Sequence, residues 1–173
     1  DKGAIGKPNL PSTTLGWSFG GYWRGFSFNV LFQGSFDYSF AINGTGIESF
    51  KSQFQPIHTS RWTLERYQNG EQIDFPRLTT NPSTINSAST YMSDFWLINA
   101  WYIRLKTVDL GYQLPKKILP KAIDNIRFYV NAYNLLTFTG YDKYQQDPEI
   151  KTNTAGDAYM NQRVVNLGVQ LTF

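Results

Sequence analysis

"GFSFNVLFQGSFDYSF" (Gly25–Phe40) is the stretch that decides how this chain folds. Phe26, Phe28, Val30, Phe32, Phe36 and Tyr38 fall on one parity, while Ser27, Asn29, Gln33, Ser35 and Asp37 hold most of the other. Successive side chains of a β-strand point to opposite faces, so the alternation predicts a strand that is apolar on one side and polar on the other. Its length is as telling as its pattern. Thirteen residues at ~3.3 Å each reach about 43 Å, or roughly 30 Å of height at a ~45° tilt, which is the thickness of a membrane's hydrocarbon core. Strands of globular proteins average only about five or six residues.

Four further strands are expected. Leu15–Trp23 precedes the opening stretch, with Leu15, Trp17, Phe19 and Trp23 on one parity and "WRG" (Trp23–Gly25) as the turn between them. Trp101–Leu114 changes parity midway: Ile103 and Leu105 keep one phase, and Val108, Leu110 and Tyr112 the other, which a β-bulge would produce. Ile126–Phe138 alternates Ile126, Phe128, Val130 and Ala132 against Arg127, Tyr129, Asn131 and Tyr133. The stretch "RVVNLGVQLTF" (Arg163–Phe173) carries Val165, Leu167, Val169, Leu171 and Phe173 on one face. In the Ser-, Thr- and Asn-rich region after Phe40, "IESFKSQF" is read as a short helix.

The connections alternate between short and long: about three residues, sixty, a dozen, then twenty-odd. A meander with this rhythm gathers its short turns at one end and its long loops at the other, the asymmetry of bacterial outer-membrane barrels. Such barrels have about eight strands or more, so five strands are expected to be part of a larger wall. The competing reading is a soluble β-sandwich binding carbohydrate through exposed aromatics, since sandwich strands also alternate.

Composition narrows the function further. Among 173 residues, 17% are aromatic, yet the mean hydropathy is −0.38, so the rings are interleaved with polar residues. No apolar run approaches the ~20 residues of a membrane helix. The absence of cysteine excludes disulfides, thiolate metal sites and thiol catalysis. A net charge of +3, spread along the chain, gives no support for nucleic-acid binding.

No arrangement of residues points to an enzyme or a cofactor. The single histidine, His58, lies in a Ser/Thr-rich loop and suits a local hydrogen bond. Asp142, Asp147, Glu149 and Asp157 could offer oxygens to Ca²⁺, but their spacing is not that of a calcium loop and favours a solvated acidic segment. Asp147 and Glu149 lack any feature that would fix them as a glycosidase pair. "GTG" (Gly44–Gly46) is a turn, without the further glycine a phosphate loop needs.

Four segments resemble the SusC/RagA family of TonB-linked outer-membrane transporters. They are "DFWLINAWYIRLKTVDLGYQLP" (Asp94–Pro115), "IRFYVNAYNLLTFTGYDKYQQDPE" (Ile126–Glu149), "HTSRW" with "FPRL" (His58–Trp62 and Phe75–Leu78), and the opening hairpin "IGKPNLPSTTLGWSFGGYWRGFSFNVLFQGS". The resemblance covers nearly the whole chain in matching order; "RWTLERYQNGEQIDFPRL" departs from it by lacking the usual proline after Trp-Thr.

What the resemblance implies is a transmembrane antiparallel barrel of twenty-two strands. Residues 1–173 would be its C-terminal portion, with a plug and earlier strands upstream. It further implies import of oligosaccharide or peptide cargo across the outer membrane, driven through TonB, beneath a SusD-like surface lipoprotein, with a dimer of such transporter–lid pairs as one arrangement.

On this reading Phe26, Phe28, Val30, Phe32, Phe36, Val165, Leu167, Val169 and Leu171 face lipid, and Phe173 is an assembly signal. Trp62, Phe95, Trp96 and Trp101 are candidate contacts for lid or cargo, and Arg104 and Lys106 either meet lipopolysaccharide phosphates or point inward. The expected topology puts the long loop from about Phe40 to Asn99 outside the cell and "PKKILPKAIDN" in the periplasm. A label added to intact cells should therefore react at a site engineered near Asn69 and miss one at Lys117; labelling at Lys117 would invert the topology.

Overall fold

The computed structural model describes residues 3–41, 56–77, 93–140, 142, 147–150 and 159–173. Five strands form one sheet in sequence order: β1 (Thr13–Trp23), β2 (Phe26–Ala41), β3 (Leu97–Gln113), β4 (Asn125–Thr139) and β5 (Val164–Thr172). The pairs β1–β2, β3–β4 and β4–β5 are antiparallel. All five expected strands are present, and β3 begins at Leu97, ahead of the expected Trp101. By contact the chain divides into two compact units, one of residues 12–36, 101–139 and 161–173, the other of residues 1–11, 37–100 and 140–160.

In the first unit the turns follow from local chemistry. Arg24 and Gly25, with φ of 48° and 94°, close the β1–β2 hairpin as a two-residue turn with both central residues left-handed, whose twist suits the flanking strands. Gly25 is needed for a second reason: a Cβ there would stand 2.8 Å from the Gln113 carbonyl oxygen. The Gln113 N–H donates to the Gly25 oxygen at 2.7 Å, tying this turn to the end of β3.

The β3–β4 turn is held by Lys116, which donates to Asp124 Oδ1 at 2.7 Å and to the Ile123 carbonyl at 3.0 Å. The hydrogen bond from Lys116, and then its charge, hold the Asp124 carboxyl below the usual carboxylate range. A lowered folded-state value makes this contribution full above the ordinary carboxylate pKa of ~3.9, and it is lost as pH falls through the lower value of the folded turn.

The parity change expected in β3 is a break in register. Leu105 pairs with Leu136 but Thr107 pairs with Tyr133, so Asn134 and Leu135 stand opposite Lys106 alone. Asn134 takes φ of 52°, a left-handed conformation that asparagine tolerates better than most residues. A second left-handed residue, Asp37 at φ 60°, ends the opening pattern in β2. There the expected parity fails. Tyr38 does not continue the exposed row but is buried against Ala100 and Ile98.

The second unit has its own small core, in which Phe75, Trp96 and His58 are buried. Phase and propensity in the sequence did not mark its helix, α1 (Leu64–Gln68), which starts at Thr63, whose hydroxyl accepts from the Arg66 N–H at 3.2 Å. The expected helix "IESFKSQF" lies outside the described residues.

Glycines shape the polar side of the sheet where long side chains cross it. Gly168 on β5 sits beneath the Tyr129 ring of β4, leaving no room there for a Cβ. Gly168→Ala is expected to destabilise the full-length protein by about 1–3 kcal/mol through overpacking. Combined with Tyr129→Ala it should cost less than the two changes summed, as measured by urea unfolding in detergent.

Candidate functional site

The sheet has two chemically opposite faces, and each is assembled from all five strands. On the first face, register places Trp17 beside Phe32, Phe19 beside Val30, and Trp23 beside Phe26. The Phe26 ring meets that of Tyr112 on β3 at 4.5 Å. Tyr112 then pairs with Phe128 and Leu110 with Val130. Phe128 and Val130 pair in turn with Val169 and Leu167 on β5. The row is apolar from edge to edge.

These side chains are also open: Phe28 is 48% exposed, Trp17 61% and Leu167 81%. A contiguous apolar surface of this extent is what water-soluble monomers avoid. On β2 the row runs from Phe26 to Phe36, where the Phe36 ring lies over Gly34, and it stops at Asp37. Ten residue steps at ~3.3 Å and a ~45° tilt give about 23 Å, close to the ~25 Å apolar band of membrane barrels.

The nine residues expected to face lipid all lie on this face of the sheet. Phe26, Phe28, Val30, Phe32 and Phe36 supply the β2 part, and Val165, Leu167, Val169 and Leu171 the β5 part. Phe173 follows the last β5 residue and is 80% exposed.

The opposite face is polar and internally bonded. Arg127 on β4 reaches along the sheet to Asp109 on β3, with Nη2 2.5 Å from Oδ1, and lies 3.4 Å from Ser27 Oγ on β2. Its path crosses Gly111, where a Cβ would stand 2.5 Å from Arg127 Nε. Asn131, with its amide nitrogen turned to Asp109, donates to the second carboxylate oxygen. The Arg127 guanidinium also sits 5.5 Å from the centre of the Tyr129 ring. Toward the far end, Gln33 donates to Tyr102 Oη at 3.3 Å, and Arg104 Nε donates to Thr137 Oγ1 at 3.0 Å.

The charges of Arg127 and Asp109 are therefore matched within the wall. The half-buried Asp109 carboxylate is bonded by a guanidinium and an amide, and the face presents a hydrogen-bonding surface suited to water. Sequence reasoning did not find this network. Its signal was a glycine at polar-face parity, Gly111, positioned between Asp109 and Gln113, the residue opposite Arg127.

Several expected site residues change role. Trp96 is corrected from a contact candidate to a core residue: it is 5% exposed, between Phe75 at 6.4 Å and Phe95 at 4.9 Å. Trp62 and Phe95 remain exposed. Trp101 shares the parity of Ile103, whose partner Phe138 is exposed with it, so it belongs to the apolar row. Of the two positions open to Arg104, the structure has the inward one: at 2% exposure, with its guanidinium 5.8 Å from the Tyr102 ring, it points to the polar face. Among the described residues, no three His, Asp or Glu side chains could hold a metal ion. Asp157, one of the acidic loop residues, lies outside the described residues.

No family model matches the chain. Among curated proteins, TonB-dependent receptor P3 of Formosa agariphila is 27% identical over 189 residues, a match spanning 100% of this chain and 17% of that protein. Among solved structures, the RagAB peptide transporter matches with a TM-score of 0.69 and 28% identity, covering 98% of this chain and 18% of that one. The RagAB peptide importer in its closed-closed state matches with a TM-score of 0.66 at 28% identity, over the same shares of the two chains. The chain thus spans less than a fifth of the proteins it matches. With one apolar and one polar face and a single five-stranded sheet, the chain is similar to a segment of the β-barrel of these TonB-dependent transporters.

Proposed function

We propose that this segment forms part of the wall of an outer-membrane nutrient importer, with its apolar face in lipid and its polar face lining the lumen. The observation that carries the reading is the exposed apolar row continued without interruption through five paired strands. A soluble sandwich would need a second sheet over that row, and among the described residues all five strands belong to one sheet. In hydrocarbon the same row needs no cover.

The cargo is an oligomeric nutrient, peptide or oligosaccharide, taken up beneath a SusD-like lipoprotein and driven through TonB. The likeness to a peptide transporter supports the peptide as the first substrate to try. Trp62 and Phe95, exposed beside the buried Phe75–Trp96 core, are the proposed contacts for lid or cargo, since aromatic faces suit both. No catalytic role is proposed.

Membrane placement is tested with two neighbouring substitutions in the full-length transporter. Phe28→Arg should cost about 2–4 kcal/mol near the bilayer midplane and sharply reduce the amount of assembled barrel. Asn29→Arg, on the lumenal side, should be milder. Equal losses, or a greater loss for Asn29→Arg, would reverse the assignment of faces. Function is tested by uptake of labelled peptides and labelled oligosaccharides into cells with and without the transporter gene. Uptake of neither would reject the importer reading, and uptake of one decides the cargo.

A further inference from the structure

Resting on the barrel reading, we propose that the short-turn rim of the sheet binds the anionic headgroups of phospholipids in the leaflet it borders. The rim is built from two turns held together. Arg24 lies at the tip of the β1–β2 turn, and the hydrogen bond from Gln113 to Gly25 joins that tip to the strand leading into the β3–β4 turn. Lys117 and Lys121 stand exposed in the latter. Among the described residues no carboxylate pairs with Arg24, Lys117 or Lys121; the turn's own Asp124 is taken by Lys116.

Positive charge alone would be an ordinary solvated surface, but apolar side chains are set among these cations. Ile118, between the lysines, is 65% exposed. Trp23, the last aromatic of the apolar row on β1, carries the Arg24 guanidinium 5.0 Å from its ring centre. A lipid headgroup region asks for this pairing, because ring and alkyl groups sit at the acyl boundary while cations meet phosphate just above it. An acidic protein partner would match the charge but would leave Ile118 and Trp23 unexplained. The rim also continues the apolar face directly, so the surface that enters lipid and the surface that meets phosphate are one.

The test uses the full-length transporter in nanodiscs of phosphatidylcholine with and without phosphatidylglycerol, and native mass spectrometry counts the phosphatidylglycerol retained per copy. The wild type should retain it. Arg24→Gln, Lys117→Gln and Lys121→Gln together should weaken retention by about fivefold per cation removed, on the order of a hundredfold in all. The charge-preserving set Arg24→Lys, Lys117→Arg and Lys121→Arg should retain it as the wild type does.

Equal retention by the wild type and the triple glutamine variant would overturn the proposal, as would absence of retention in both. Displacement by glycerol phosphate at equal concentration would reassign the rim to free anions, and displacement by an acidic peptide would reassign it to a protein; either overturns the lipid site. If the triple variant assembles poorly, Lys117→Gln alone keeps the test decisive, since the exposed Lys117 side chain has no hydrogen bond or ion pair among the described residues. A wild-type transporter that fails to enter the discs would instead sink the barrel reading itself.

Discussion

A backbone amide left unpaired in hydrocarbon costs several kcal/mol, and this one penalty governs the rest of the sheet. It requires that each strand find a partner on both sides, which forces a continuous ladder and makes side-chain parity the only freedom left. Parity then separates Phe28 from Asn29 and Leu110 from Asp109, giving two faces of opposite character from one chain. On the polar face Arg127, Asp109, Asn131 and Ser27 are bonded to one another.

Glycine has an unusual role in this wall. Gly111 and Gly168 weaken their strands locally, because they offer no side chain to pack. In exchange Arg127 and Tyr129 lie flat along the sheet and reach neighbours that direct cross-strand pairing would not give them. Arg127 faces Gln113 in the register, yet its charge is matched by Asp109 further along the same strand. The bonding pattern of the face is thus longer-ranged than the register alone.

Most of the architecture was legible in the sequence because a period of two is hard to mistake over ten residues. The five strands, the short turns and the phase change in β3 could all be read from alternation. What escaped depends on single residues that break alternation or on contacts between distant segments. Asp37, left-handed, turned Tyr38 into the core although numbering alone put it in the exposed row. Trp96 reads as an exposed loop aromatic until Phe75 is brought against it from some twenty residues away in sequence. The helix at Leu64–Gln68 was signalled only by Thr63 before it and Asn69-Gly70 after it, in a stretch too short for periodicity to register.

The unequal pairing at Asn134 and Leu135 against Lys106 bears on how such a wall can change over evolutionary time. Elsewhere in a strand, inserting or deleting one residue reverses every side chain beyond it, exchanging the apolar and polar faces. At a bulge the ladder already accommodates a mismatch in count, so a one-residue change of length can be absorbed locally while both flanks keep their orientation. The bulge is therefore the place where β3 and β4 can vary in length, and segments on its two sides can diverge independently of each other's phase.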